Sequence, residues 1–161
     1  MKRTISAIAL LCSIATLTTP SYAGGSVNIS LWDKEGPMDM SKNMGLGMGM
    51  HGNMMMAMMG IRATPTLLPQ GKVKFKVTNN SKTVIHEMLI APIPSVDSVL
   101  PYIEAENRVD ETKAGDLGEV SELDPGKSGE LVLDMKPGNY VLFCNVPGHY
   151  GAGMWTTITV K

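Results

Sequence analysis

The segment FCNVPGHYGAGMW, residues 143–155, contains three side chains that can bind a soft or borderline metal ion. Cys144, His149 and Met154 follow one another with four residues between each pair. Thiolate and thioether sulfur select metals such as copper, and imidazole suits copper and zinc alike. The glycines of the segment and Pro147 favour a tight loop with unusual backbone angles. The segment therefore predicts a metal-binding loop that supplies three ligands.

A fourth ligand is expected from upstream in the chain. The chain has three histidines, and His86 lies in the apolar, β-branched segment TVIHEMLI, which is typical of a strand. Strands that are far apart in sequence can be neighbours in a sandwich, so His86 could reach the loop. Two imidazoles, one thiolate and a weak thioether form the ligand set of a type 1 copper site. We therefore predict one copper ion bound by His86, Cys144 and His149, with Met154 as the weak axial ligand.

The same residues allow other interpretations. Cys144 could be a buried small hydrophobe, and His86 could be a core histidine with no metal. Zinc is the second candidate metal, because Cys and His are also its ligands. A thioether is a poor zinc ligand, however, and structural zinc sites usually include a second cysteine. The combination of all four residue types at one loop and one strand favours copper.

The rest of the chain predicts an all-β fold. Short strand patterns, separated by turns rich in Gly, Pro and Asn, occupy residues 26–33, 61–68, 72–79, 83–91, 118–123, 129–135, 140–144 and 155–161. A parallel α/β fold would need helices between its strands, and only one gap could hold one. The pattern predicts an antiparallel, eight-stranded Greek-key β-sandwich. Residues 92–117 are less regular and could include a short helix.

A methionine- and glycine-rich segment, residues 36–60, interrupts the strand pattern. It contains ten of the fourteen methionines, six glycines and His51, at neither helix nor strand spacing. We therefore expect a flexible loop that packs little against the sandwich. Thioethers select Cu(I) over hard cations, so additional Cu(I) binding by this segment is the favoured interpretation. A trap for oxidants and a surface for a methionine-rich partner are the alternatives.

The first residues predict export. Lys2 and Arg3 precede an apolar run, and Ser21-Tyr22-Ala23 fits a signal-peptide cleavage site, so residues 1–23 are expected to be removed after Ala23. A membrane anchor is less favoured, because the apolar run is too short to span a bilayer comfortably. The remaining domain, residues 24–161, is expected in the periplasm.

Composition narrows the possible functions of this domain. Without the segment before Gly24, the chain has twelve basic and fifteen acidic residues and no basic stripe, so nucleic acid is excluded as a partner. Cys12 is lost with the signal peptide, so Cys144 has no internal disulfide partner in an oxidising compartment. A metal-bound thiolate would be protected there.

Three functions are compatible with a copper site. The first is a carrier of single electrons between redox partner proteins, and the second is a copper-handling or copper-tolerance protein that binds Cu(I) through the methionine-rich segment. The third, a copper enzyme, needs further copper centres built mainly from histidine. Only His51 remains after the two ligand histidines are assigned, so we do not expect an enzyme.

The residues quoted above also resemble a known family. FCNVPGHYGAGM resembles the C-terminal ligand loop of the cupredoxins, the small type 1 blue copper proteins, and KVKFKVTNNSKTVIHEMLI resembles their strand pair with the first histidine. The methionine-rich insert is similar to that of a bacterial subgroup of periplasmic cupredoxin-like proteins. The resemblance covers about residues 26–35 and 61–161 and implies an eight-stranded Greek-key sandwich.

The same resemblance implies roles for individual atoms. Copper would be bound by Nδ1 of His86, Sγ of Cys144 and Nδ1 of His149, with Met154 axial. The exposed edge of His149 would be the port for electrons. Glu87 stands where many members of the family have Asn, and its backbone N–H is still expected to reach the thiolate.

Overall fold

The computed structural model describes residues 24–36 and 38–161. The predicted signal peptide, residues 1–23, lies outside the described residues. Within the described part of the chain, no helix is long and apolar enough to cross a membrane.

Two β-sheets pack face to face and form the body of the molecule. In spatial order, the first sheet contains β2 (Met59–Thr64), β1 (Ser26–Asp33), β4 (Gly71–Asn79) and β9 (Ser128–Met135). The second contains β3 (Leu67–Leu68), β11 (Trp155–Val160), β10 (Gly138–Phe143), β5 (His86–Ile93) and β8 (Gly118–Leu123). The predicted all-β sandwich is therefore confirmed.

Strand alternation produces the core between the sheets. Val27, Ile29 and Leu31 of β1 are at most 2% exposed, whereas their neighbours along the strand are more accessible. Side chains of a strand alternate between its two faces, so one face of β1 supplies the core. Phe75 of β4 and Leu142 of β10, both fully buried, belong to the same core cluster.

The strand count and the strand directions differ from the prediction. Nine strands form the two sheets in the described residues, because the segment predicted at 61–68 divides into β2 and β3. The sheets are also mixed, since β1 pairs in parallel with β4 and β3 pairs in parallel with β11. After β2 the chain crosses to the edge of the second sheet as β3 and then returns as β4. This crossing between sheets gives β4 the direction of β1.

A second core covers the outer face of the second sheet. Strand β5 is buried almost throughout, with Leu89 and Ala91 on the outer face and Met88 and Ile90 facing the first sheet. The insertion at 92–117 covers this outer face and contains three further elements: β6 (Tyr102–Ile103), β7 (Arg108–Val109) and the one-turn helix α1 (Glu111–Ala114). A strand buried on both faces explains the continuous apolar run in its sequence.

The methionine-rich segment also belongs to this second core, contrary to the expectation that it would pack little. Met48 is fully buried and clusters with Phe143 and Tyr150 in this core, whereas Met59, the fully buried first residue of β2, belongs to the core between the sheets. A short 3-10 helix, Met54–Met56, forms part of the segment. Methionine fills irregular gaps because its side chain is unbranched and flexible, so a segment without periodicity can still pack.

Candidate metal centre

The ligand loop, residues 144–154, connects two neighbouring antiparallel strands. Phe143 at the end of β10 pairs with Trp155 at the start of β11. The backbone N–H of Cys144 donates to the carbonyl of Met154 at 3.1 Å, and that of Met154 donates to the carbonyl of His149 at 3.0 Å. The first bond closes the loop at its two ends, and the second holds His149 close to Met154.

His86 reaches this loop because it begins β5, the strand beside β10. The pairing of β5 with β8 shifts register between His86 and Met88. Two positions on β5, from His86 to Met88, lie opposite three on β8, from Leu123 to Val120, so the extra residue of this irregularity belongs to β8. The fold thus brings together two histidines that lie 63 positions apart in sequence.

Three of the four predicted ligands converge on one buried point. Nδ1 of His86 lies 3.2 Å from Nδ1 of His149, which lies 3.3 Å from Sγ of Cys144. His86 and Cys144 are fully buried, and His149 is 4% exposed. Within residues 24–36 and 38–161, this is the one group of three or more His, Cys, Asp or Glu side chains close enough to share a metal ion.

Met154 is also fully buried and belongs to the same core cluster as Cys144. Its backbone contacts both Cys144 and His149, as described above. The axial role of its sulfur stays a prediction. His51 is exposed and does not belong to the group of buried ligands.

The protonation states of the three side chains fit a bound cation. Burial lowers the pKa of His149 to about 4, and the neighbouring His86 adds to this effect. Burial also lowers the pKa of His86, so both imidazoles are neutral near pH 7 and can bind metal through a lone pair. Burial raises the pKa of the Cys144 thiol to about 12, so a thiolate at this position requires a cation beside it. Two imidazole nitrogens and one soft thiolate sulfur suit copper.

Glu87 contacts the ligand loop in two ways. Its backbone N–H donates to Sγ of Cys144 at 3.5 Å, as the resemblance predicted. Its carboxylate Oε1 accepts from the backbone N–H of Asn145 at 3.0 Å. Burial, followed by the negative charge of Glu122, raises the pKa of Glu87 to about 7. Glu87 therefore holds the loop next to the sulfur from both its main chain and its side chain.

Comparison with known proteins identifies the family. A model of copper-binding proteins of the plastocyanin/azurin family matches residues 66–161, more than half of the chain. The chain belongs to this family. It is a cupredoxin. Among curated proteins, no match was found.

Solved structures support the same fold. Rusticyanin from Thiobacillus ferrooxidans is 17% identical, with 88% of this chain and 79% of that chain covered and a TM-score of 0.56. A structure of reduced rusticyanin is 18% identical, with 88% and 81% covered and a TM-score of 0.54. At these identities the similarity extends to the fold of the cupredoxin and no further.

Asn145 is a functional residue that sequence reasoning missed. It is 1% exposed, and its side chain accepts from the backbone N–H of Val109 at 2.7 Å. It also donates to the carbonyl of Val109 at 3.0 Å and to Glu111 at 2.7 Å. Its position directly after Cys144 was the only signal in the sequence. These bonds attach the ligand loop of the cupredoxin to the insertion at 92–117.

Asp33 was missed as well. Asp33 ends β1, and its side chain is 3% exposed. Its Oδ1 atom lies 3.2 Å from Nε2 of His86. If Nδ1 of His86 binds metal, Nε2 carries the proton and donates to this carboxylate. A carboxylate behind a ligating histidine fixes its ring and makes it a stronger donor. The two residues are 53 positions apart, so no local pattern could have paired them.

The methionine-rich segment lies directly on the ligand loop. The N–H of Leu46 donates to the carbonyl of Gly151 at 2.9 Å, and Nε1 of Trp155 donates to the carbonyl of Leu46 at 2.7 Å. A Cβ atom at Gly151 would lie 2.6 Å from Oδ1 of Asn43, so a larger residue there would displace the Asn43 side chain. His149 is 4% exposed, so only a small edge of its residue surface reaches solvent, and its role as the electron port stays a prediction. The segment covers the adjacent part of the loop.

Replacing Asp33 by Asn should raise the reduction potential of the copper-loaded protein. The amide keeps the shape but removes the charge that favours Cu(II), which carries one more positive charge than Cu(I). Loss of such a partner typically weakens metal binding about 10- to 100-fold. If only Cu(II) is affected, the potential rises by about 60–120 mV, since a tenfold change is 59 mV for one electron.

The measurement is a potentiometric titration, with NMR detection of the Nε2 proton of His86 as a second readout. Asp134→Asn, the same change at an exposed position of β9, is the control and should leave both unchanged. An unaltered potential in Asp33→Asn would show that this carboxylate does not influence the metal.

Proposed function

We propose that this cupredoxin binds one type 1 copper ion and carries single electrons between redox partner proteins. The observation that carries the proposal is the convergence of His86, Cys144 and His149 on one buried point. Bound copper would supply a Cu(I)/Cu(II) couple, which exchanges one electron at a time. The same ligands can hold both oxidation states, because imidazole suits both and thiolate binds strongly to each.

The surroundings of the three ligands favour small changes in structure during electron transfer. His86 is restrained by β5 and by Asp33, and the ligand loop is restrained by Glu87 and Asn145. The buried position excludes water from the sulfur. A site whose ligands are held by their own hydrogen bonds reorganises little when its charge changes.

A redox titration of the purified protein tests this proposal. With one copper per chain, we expect intense visible absorption in the oxidised form and a narrow hyperfine splitting in its EPR spectrum. Both should disappear on addition of one electron per chain and return on reoxidation. A colourless Cu(II) protein, or a copper that cannot be reversibly reduced, would contradict the proposal.

Met154 is proposed as the axial ligand. Its complete burial and its backbone contacts with Cys144 and His149 support this role. Met154→Leu should keep the colour and raise the potential, because a weak donor to Cu(II) is replaced by hydrocarbon. Met154→Gln should lower the potential, because an amide oxygen favours Cu(II). Potentiometry of both variants checks the two directions.

Met88→Leu is the matched control for this experiment. Met88 is also fully buried and lies on β5 near His86, so the change removes a sulfur of the same type from the neighbouring strand. It should leave the potential unchanged. If Met88→Leu moves the potential and the Met154 variants do not, Met88 is the axial ligand.

We further infer that the domain is exported to the periplasm and meets its redox partners there. The charged start, apolar run and small-residue site within residues 1–23 support export, as does the single cysteine of the domain. N-terminal sequencing of the protein from a periplasmic extract should begin at Gly24. An intact N-terminus in that fraction would contradict cleavage after Ala23.

Copper handling is the second candidate function. It is favoured by the exposure of several methionines of the segment, among them Met44 at 41% and Met55 at 87%. Exposed methionine is unusual, because the side chain is apolar. Its sulfur would be accessible to Cu(I) in solution or on a partner.

A further inference from the structure

One groove beside the ligand loop is lined by methionines from distant points of the methionine-rich segment. It has a volume of about 400 Å³ and is lined by Met38, Asp39, Lys42, Asn43, Met44 and Met58. Three of these six residues carry a thioether. Asn43 also contacts Gly151 of the ligand loop, so the groove lies next to the loop but contains none of its predicted ligands.

The fold itself places the three methionines. Met58 directly precedes β2, and its carbonyl accepts from the N–H of Lys34 at 2.7 Å, just beyond the end of β1. Met38 packs against the main core cluster. Met44 lies between Asn43 and Gly45. The backbone N–H of Gly45 donates to Oδ1 of Asn43 at 2.8 Å, which closes a turn around Met44. Backbone hydrogen bonds therefore position Met58 and the turn that contains Met44, and packing against the core positions Met38.

The three methionines of the 3-10 helix are less suited to share one ion. Met54, Met55 and Met56 are exposed and consecutive on a 3-10 helix. Such a helix has about three residues per turn, so consecutive side chains point about 120° apart. They cannot converge on one point, whereas the three methionines of the groove line one space.

The chemistry of the groove selects a soft monovalent cation. Thioethers are neutral, soft ligands that prefer Cu(I) to hard cations. Only one carboxylate lines the groove, and Oδ1 of Asp39 already accepts bonds from the N–H and hydroxyl of Ser41. The ammonium of Lys42 repels a divalent ion about twice as strongly as a monovalent one. A Ca²⁺, Mg²⁺ or Zn²⁺ site is therefore disfavoured.

We propose that Met38, Met44 and Met58 form a second metal site, selective for Cu(I), beside the type 1 site. Met44 is 41% exposed and gives the ion access from solvent. The inference rests on the second candidate function, copper handling, and assigns it to particular residues. It does not depend on the blue site.

Cu(I) binding can be counted by competition with a coloured Cu(I) chelator. We expect the wild-type protein to hold two ions and the triple variant Met38→Leu, Met44→Leu, Met58→Leu to hold one. Leucine keeps the volume and hydrophobicity of methionine and removes only the sulfur. The control is Met54→Leu, Met55→Leu, Met56→Leu, which removes three exposed sulfurs outside the groove and should still hold two ions.

Ag(I) provides a residue-specific readout, because it replaces Cu(I) and is not oxidised. In NMR spectra of protein labelled at the methionine methyl groups, the signals of Met38, Met44 and Met58 should shift on addition of Ag(I). Zn²⁺ should leave them unchanged. Unaltered blue absorption and circular dichroism in both triple variants would show that they fold.

The outcomes separate this inference from the function on which it rests. Loss of the second ion in the control variant, with the groove variant unaffected, would overturn the groove site and retain copper handling. A wild-type protein that holds only one Cu(I) would overturn both. Neither outcome would affect the proposed electron-carrier function, which is tested separately by the blue colour and its reversible one-electron reduction.

Discussion

Replacing Cys144 by Ser should abolish the visible absorption of the copper-loaded protein. The colour of a type 1 site arises from charge transfer between thiolate and Cu(II). A serine hydroxyl stays protonated at neutral pH and cannot replace that ligand. The loss should be complete, because Cys144 is the one cysteine in the described residues and no second thiol can bind the copper in its place. Absorption and EPR spectra with one Cu(II) per chain check this result.

The control for this variant is Met135→Leu. Met135 is 2% exposed in the same core cluster, so the change removes a buried sulfur away from the proposed ligands. It should keep the full colour. Colour that survives in Cys144→Ser would show that another ligand produces the absorption and would contradict the site.

Removing the methionine-rich segment should accelerate copper release to a chelator by about 100-fold or more. In the intact protein, opening the ligand loop must first separate it from the segment, including the buried side chains of Leu46 and Met48. Each buried side chain of this size contributes about 1.5–3 kcal/mol. Two of them correspond to roughly 100-fold or more, since 1.4 kcal/mol is tenfold.

The structure specifies how this deletion should be built. Lys34 pairs with Met58 beyond the ladder of β1 and β2, so Asn-Gly can replace residues 35–57 as a two-residue hairpin turn. Met48→Ala loosens the segment without removing it and should lower the free energy of unfolding by about 2–5 kcal/mol. Met55→Ala, at a side chain 87% exposed, should change neither stability nor copper release.

An unchanged release rate in the deletion would show that the segment does not restrain the loop, as the sequence had suggested. Loss of the blue colour would go further than our expectation, because it would mean that the segment is needed to form the site. Stopped-flow measurement of the visible absorption under excess chelator distinguishes these outcomes.

The three side chains that converge in the candidate metal centre could be selected from the sequence because donor chemistry belongs to the side chain. Cys144 and His149 lie in one loop, and the β-branched context of His86 indicated a strand. The alternation in β1 predicted the bounds of this strand, since the two-residue period of a strand is a local property.

The contacts that surround those residues were decided by the tertiary structure. The bond between Asp33 and His86 and the register shift between β5 and β8 depend on which strands become neighbours. The parallel pairing of β1 with β4 depends on the crossing of the chain between the sheets. Docking of Met48 in the second core depends on shape, because methionine packs without a sequence period. Local patterns encode an element and its chemistry, whereas its partners are chosen by the burial of apolar surface over the whole chain.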